Sequence, residues 1–311
     1  MNWSEKKVLV TGSNGFLGKY VVEELEKRNV NKLSLPSSQE CDLRIQKNCK
    51  RVVSDVDVIF HVAGTVGGIQ YMSNNPAQVF YDNLMMGTHL IEEAKNEHIE
   101  KLVLVGTVCS YPKFASIPFN EKQIWEGYPE ETNASYGLAK KMQLVQSEAY
   151  RKQYEFNSIS VIPTNMYGPT DNFSEESSHV IPGIIKKIYD AKESQSEKIV
   201  LWGDGSPTRD FLYVRDTAKG IILAAEKYNE SSPINLGSEL EISIRDLSEM
   251  IKDLMDFSGV IEWDTSKPNG QPRRCVSNVR ARELLGFEPE TKIREGLEET
   301  ITWFMKQQKS S

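Results

Sequence analysis

With 311 residues and 35.3 kDa, the chain is too long for one ordinary small domain and too short for three, so one large α/β unit or two intimately joined lobes are expected. Lys plus Arg number 37 against 44 Asp plus Glu, and the net charge of −7 offers no general attraction to nucleic acid or an anionic membrane. A hydrophobic fraction of 39% with 26% charged residues excludes wholesale disorder and collagen-like repeats.

Lys7-Val8-Leu9-Val10-Thr11 reads as a strand and Phe16 to about Lys27 as a helix. Next come a strand over Asp57 to Val62, a helix from about Pro76 to Lys95, a strand over Lys101 to Val105, a helix from about Ser135 to Gln153, and a strand over Ser158 to Ile162. Repeated βα units of this kind predict a doubly wound parallel sheet of Rossmann type, covered on both faces. Such sheets bind ligands outside the carboxyl ends of their strands, so function is expected in the loops after Thr11, Val62, Val105 and Ile162. Beyond Pro163 the turns multiply, and residues from about 171 to the end read as a smaller α/β lobe beside a dinucleotide-binding domain over 1–170. Strands over Arg209 to Val214 and Pro233 to Leu236 are expected to rejoin the first sheet.

No apolar run approaches the ~20 residues of a membrane span. Met1 to Lys7 leads into a strand rather than a signal peptide, so a cytoplasmic location is expected. Cys41, Cys49, Cys109 and Cys275 are scattered, which argues against a disulfide framework and against structural zinc.

Thr11-Gly12-Ser13-Asn14-Gly15-Phe16-Leu17-Gly18 follows a strand and opens a helix. Gly12 permits the tight turn, Gly15 lets a pyrophosphate approach the backbone, and Gly18 allows close packing of the helix. The helix start then presents free N–H groups to the phosphates. About twenty residues on stand Leu35-Pro36-Ser37-Ser38, neither an acid for a ribose hydroxyl nor an arginine for a 2′-phosphate. These residues leave NAD and NADP both open. Asp42, before Leu43, suits either the adenine amino group or a cap on the following helix.

Tyr136 and Lys140 stand four positions apart, on one face of a helix. A cation within ~4–6 Å lowers a phenol by ~1–3 units, so the lysine is expected to activate the tyrosine. Thr107 ends the Lys101 to Val105 segment, where a hydroxyl serves either to position a substrate oxygen or to cap the strand end. Cys109 is two residues further. In an extended segment both side chains would share a face.

The glycine turn, His61-Val62-Ala63-Gly64, Thr107 and the Tyr136/Lys140 pair together resemble the extended short-chain dehydrogenase/reductase family. The resemblance implies that Thr107 positions the substrate oxygen, Tyr136 exchanges its proton and Lys140 assists. It further implies a cofactor, NADP with NAD possible, lying against Gly12 to Gly18, Asp42, Leu43, Ala63, Gly64, Val105, Tyr136, Lys140, Pro163, Asn165, Met166 and His179. Two segments narrow the match: Thr107-Val108-Cys109-Ser110-Tyr111-Pro112-Lys113, and Pro163 to Phe173 followed by Ser178-His179-Val180-Ile181-Pro182. They are similar to the GDP-L-fucose synthases, which epimerise GDP-4-keto-6-deoxy-D-mannose at C3 and C5 and then reduce C4 with NADPH.

That chemistry needs a base on one face of the sugar and an acid on the other, because a C4 ketone acidifies both neighbouring hydrogens. The resemblance gives Cys109 the base and His179 the acid; on their own, Cys109 would read as a small buried hydrophobe and His179 as a helix-start residue. It also assigns Asn165, Lys187, Trp202, Arg209 and Asn269 to the GDP-sugar. Trp202 suits stacking on a base, and Arg209 with Lys187 suits a pyrophosphate. The family's best-known members carry Ser where Thr107 stands, and an arginine near Asn14 or Ser38 that is missing here. Leu84, Met85, Leu90, Ile91, Met142 and Val145 would build the two-helix homodimer interface usual in the family, or else cover the sheet. No metal is called for. Alternative readings are an NAD-recycling nucleotide-sugar epimerase, a related GDP-ketosugar enzyme, and a dinucleotide sensor without turnover; the Cys109/His179 and Tyr136/Lys140 pairs favour the reductase.

Overall fold

The computed structural model describes residues 1–310. Its first half alternates strand and helix: β1 (Lys7–Thr11), α1 (Phe16–Glu26), β2 (Lys32–Ser34), α2 (Gln46–Val53), β3 (Val58–His61), α3 (Ile69–Asn74), α4 (Pro76–Asn96), β4 (Lys101–Val105), α5 (Ala134–Tyr154) and β5 (Ser158–Pro163). The second half contains β6 (Asn165–Tyr167), α6 (Val180–Glu193), β7 (Lys198–Trp202), β8 (Thr208–Tyr213), α7 (Val214–Lys227), β9 (Ile234–Leu236), β10 (Glu241–Ser243), α8 (Ile244–Leu254), β11 (Val260–Asp264), β12 (Arg273–Arg274), α9 (Val279–Leu285) and α10 (Ile293–Ser310).

Six strands form one sheet in the order β2-β1-β3-β4-β5-β9, each pair parallel. Residues within each strand alternate between its two faces. Val8, Val10, Phe60 and Val103 pack with α1, α7 and α9, whereas Leu9, Ile59, Leu102 and Leu104 pack with α2 and α4. Burial on both faces explains why these strands are continuous apolar runs. Pro76 opens α4 at a position where its missing N–H costs nothing.

The second lobe is built on β8. Its partners are β10, antiparallel, and β6 and β12, parallel, while β7 and β11 pair separately. Of the two late strands expected to rejoin the first sheet, only the second does so: β9 pairs with β5, whereas β8 is the centre of the other sheet. The reason is that β6 leaves the first sheet directly after Pro163 and offers β8 a parallel edge, Asn165 opposite Phe211. β8 then runs straight into α7, which returns to pack on α1. Ile181, Ile185, Phe211, Leu247 and Phe304 form the core of this lobe.

Leu90 and Ile91 are fully buried against the first sheet, so they cover it and take no part in an outer face. Among the exposed apolar residues of these two helices are Tyr81 on α4 and Met142 and Val145 on α5, at 54%, 39% and 44%. No helix among the described residues is long and apolar enough to cross a membrane.

Candidate active site

The strand order reverses beside β1, and the glycine turn lies at that point. Gly12 has φ +73°, and a Cβ there would stand 2.8 Å from the backbone of Ala63. A Cβ on Gly18 would overlap the carbonyl oxygen of Gly12, so the helix sits directly on the turn. Gly15 caps α1 without any side-chain bond, leaving the first N–H groups of the helix open, and the buried Ser13 hydroxyl has no partner. A cradle that only glycine fits, lined by unspent donors, suits a dinucleotide pyrophosphate. Beneath it, the buried Thr11 hydroxyl meets His61 Nδ1 at 2.9 Å, which accounts for that histidine structurally.

The adenosine end is different. Asp42 does not cap α2, whose N-cap is Ile45; its carboxylate instead accepts from the Arg44 backbone and guanidinium. Arg44 also bonds Asp82, so both its ends are committed. Ser37 donates to Glu40 at 2.8 Å, and Leu43 is buried. The Arg51 guanidinium, bonded into this loop, donates to the Glu40 carbonyl.

At the end of β4, Thr107 caps a 3-10 turn over Val108–Ser110, and its Oγ1 accepts the Cys109 N–H at 3.1 Å. The expectation of an extended Thr107–Cys109 segment is therefore corrected: capping, not strand alternation, brings the two together. The Tyr136 phenol hydrogen-bonds Thr107 and lies within the field of Cys109. Burial pushes the phenol above its ordinary range, Cys109 adds to this, and the bond to Thr107 opposes it. Lys140 does not supply the expected lowering. Its side chain runs instead to the carbonyls of Val105 (3.1 Å) and Ala63 (3.3 Å), and burial lowers the ammonium to about 8. Lys140 thus ties the end of β4 to the segment that packs on the glycine cradle.

Arg209 is brought against the same turn. Burial, then the neighbouring Arg274, push its guanidinium down to about 9, while Cys109 and Glu130 act in the opposite sense. Arg274 was not singled out in the sequence, where it is one of two adjacent arginines. It is 7% exposed and bonds only neutral oxygens, Gln271 Oε1 at 3.2 Å and Asn165 Oδ1 at 3.5 Å. Asn165 is held by the Asp210 carbonyl. The half-buried Arg209 and the buried Arg274 are both without a bonded carboxylate, which suits the pair to answering a diphosphate.

Lys187 donates to the Val200 carbonyl at 2.6 Å, and burial lowers its pKa. Trp202 ends β7 and is 42% exposed, with the Lys267 ammonium over its ring. Asn269 accepts the Asp204 N–H, which sets the 267–270 turn beside Trp202. His179 starts α6, without capping it through its side chain, and its Nδ1 is 3.5 Å from Asp171 Oδ1. Pro163 ends β5 and Met166 is half-buried against the first core. No group of His, Cys, Asp or Glu among the described residues could hold a metal ion.

A profile described as the NAD dependent epimerase/dehydratase family matches residues 8–237. GDP-L-fucose synthase 1 of Arabidopsis thaliana is 35% identical over 308 residues, covering 98% of this chain and 95% of that protein. The structure of a GDP-L-fucose synthetase from Naegleria fowleri bound to NADP superposes with a TM-score of 0.89 at 29% identity, over 99% of this chain and 96% of that one. A GDP-6-OMe-4-keto-L-xylo-heptose reductase from C. jejuni gives 0.91 at 25% identity, over 98% and 99%. By these matches and by its glycine cradle and Tyr136/Lys140 helix, the chain belongs to the NAD dependent epimerase/dehydratase family, in the group that holds the GDP-L-fucose synthases.

Proposed function

We propose that this chain converts GDP-4-keto-6-deoxy-D-mannose to GDP-L-fucose, inverting C3 and C5 and then reducing C4, with NADPH as cofactor. The observation that carries the reading is the capped turn holding Cys109 beside Thr107 and the Tyr136 phenol, in a chain that aligns from end to end with GDP-L-fucose synthases. The ketone at C4 makes the C3 and C5 hydrogens acidic. Cys109 removes them, and His179 returns protons from the opposite face. NADPH, when bound, supplies the hydride for C4. Thr107 hydrogen-bonds the C4 oxygen, Tyr136 protonates it, and Lys140 reaches from Val105 and Ala63 toward the cofactor ribose. Arg209 and Arg274 neutralise the diphosphate, Trp202 stacks on guanine, and Lys187, Asn165 and Asn269 complete the nucleotide-sugar pocket.

The working form is a homodimer through the outer faces of α4 and α5, supported by exposed Tyr81, Met142 and Val145. Four free thiols suit a cytoplasmic setting.

A second reading, reduction of a GDP-ketosugar without inversion, is favoured by the likeness to the C. jejuni heptose reductase. Incubation with GDP-4-keto-6-deoxymannose and NADPH in deuterated water separates the two. Synthase activity consumes NADPH at 340 nm and gives GDP-fucose labelled at C3 and C5. Consumption with an unlabelled, uninverted product selects the reductase, and labelled ketosugar without consumption selects an epimerase. Cys109→Ser should abolish labelling yet still reduce GDP-4-keto-6-deoxy-L-galactose supplied ready-made.

A further inference from the structure

His179 does not stand alone at the start of α6. The Asp171 carboxylate faces its Nδ1 at 3.5 Å, with side-chain exposures of 2% for the aspartate and 42% for the histidine. The arrangement is therefore a buried carboxylate behind an imidazole that opens outward. One carboxylate oxygen, Oδ1, also accepts the Asn172 N–H at 2.7 Å, while Oδ2 is buried with no partner. A carboxylate kept dry with an unspent oxygen costs stability unless its charge is answered nearby.

The backbone beside it carries a second cost. Among the described residues, eight non-glycine residues have positive φ, and Thr170, at +69°, is the β-branched one. A branched side chain in the left-handed region is strained and persists where the surroundings over-determine it. They do so here. The Tyr20 hydroxyl from α1 donates to the Pro169 carbonyl at 2.9 Å, and Phe173 stacks on Phe304 of α10 with centroids 4.5 Å apart. The Gly68 N–H donates to Ser177 at 2.9 Å on the other side of the loop. Asp171 is thus clamped between fixed points, in a strained turn, and aimed at one histidine nitrogen.

We propose that Asp171 is the positioning residue of His179: it holds the proton on Nδ1, so that Nε2 is the nitrogen that exchanges protons with the sugar. This rests on the proposed epimerase activity. A carboxylate hydrogen-bonded to one imidazole nitrogen fixes the tautomer and the ring plane, and it stabilises the imidazolium that an acid must be before it gives up its proton. Burial works to lower the pKa of His179, but the hydrogen bond and charge of Asp171 outweigh it and raise the ring above its ordinary value. The two lysines nearest along the same helix are engaged elsewhere, Lys186 with Asp190 and Lys187 with the Val200 carbonyl. A separation of 3.5 Å is open for a hydrogen bond, as such pairs often are before substrate closes the site.

Asp171→Asn keeps the shape and removes the charge. A positioned general acid contributes ~10²–10⁴-fold, so losing its orienting partner should slow inversion at C3 and C5 at least tenfold. Proton abstraction by Cys109 should continue, so deuterium enters the ketosugar with retention of configuration. Hydride transfer to ready-made GDP-4-keto-6-deoxy-L-galactose should stay within about threefold, which also reports an intact fold. The pH above which inversion declines should move downward, because the ring then loses its proton earlier. Inversion at the wild-type rate with an unmoved pH profile overturns the proposal.

The wild-type enzyme gives a second, variant-independent reading. Its 15N ring spectrum, assigned by comparison with His179→Asn, should show Nδ1 protonated on both sides of the titration. A neutral ring protonated at Nε2 overturns the proposal. If the wild type fails to invert either carbon, the proposed function falls, while this spectrum still decides the role of Asp171.

Discussion

Gly137, at the first turn of α5, lies so close to Cys109 that a methyl group on its α-carbon would overlap the Cys109 carbonyl oxygen. The helix that carries Tyr136 and the turn that carries the thiol are therefore in backbone contact. Gly137→Ala should push them apart, lowering stability by about 1–3 kcal/mol in thermal unfolding. The same shift should cut GDP-fucose formation at least tenfold, since phenol and thiol must meet one ring. Wild-type turnover in this variant would show that the spacing between them is slack.

Lys140 links stability to pH. Burial holds its folded pKa at about 8, against about 10.5 when unfolded. Below 8 both states are protonated and the full cost of the buried charge is present. Between the two values the unfolded chain binds more protons, so stability rises with pH. Lys140→Met removes this dependence. The stability of wild type relative to the variant should therefore improve by about 2 kcal/mol between pH 7 and pH 9.5 in urea unfolding. An unchanged difference would mean that the ammonium is not desolvated. Reduction of the ketosugar should fall in the variant at every pH.

Cofactor choice has a local test at β2. Arg44 is committed to Asp42 and Asp82, Arg51 is held by the Glu40 carbonyl, and Ser38 is exposed. NADPH should thus outperform NADH by less than about tenfold in kcat/KM, and Ser38→Arg should raise that ratio by about tenfold or more, the worth of one charged hydrogen bond. Fluorescence titration of both nucleotides checks the same ratio without substrate. A wild-type preference above a hundredfold would require a phosphate contact elsewhere.

Val145 should lie between subunits. Val145→Glu places a carboxylate on the exposed apolar face of α5, and sedimentation should shift from twice the chain mass to 35.3 kDa with the melting profile largely kept. An unaltered dimer would move the interface away from this helix pair.

The strands buried on both faces were legible because nothing else explains short apolar runs: Lys101–Val105 coincides with β4. β8 was equally visible as a run, but its place was not. Its partners β6, β10 and β12 are two or three residues long and come from both sides of it in the chain, so no local pattern announces them. The glycine cradle was legible because its glycines fall within eight residues, at the spacing that a tight turn and a closely packed helix require. Arg274 and Asp171 were not, since an arginine beside another and an acid in a polar loop are ordinary until burial strips them of solvent. At Leu90 and Ile91 the sequence leaves interface and sheet cover both open, because apolar character alone cannot tell sheet-facing from partner-facing positions, and burial assigns them to the sheet.

The last strand of the cofactor sheet, β9, is made only after the chain has travelled through the other lobe and back. During synthesis, β5 must therefore wait with a naked hydrogen-bonding edge until residues 234–236 leave the ribosome. Nascent chains halted before that point should be sticky and dependent on chaperones. Cutting the gene at the visual boundary between the lobes would yield two aggregating fragments rather than two working halves.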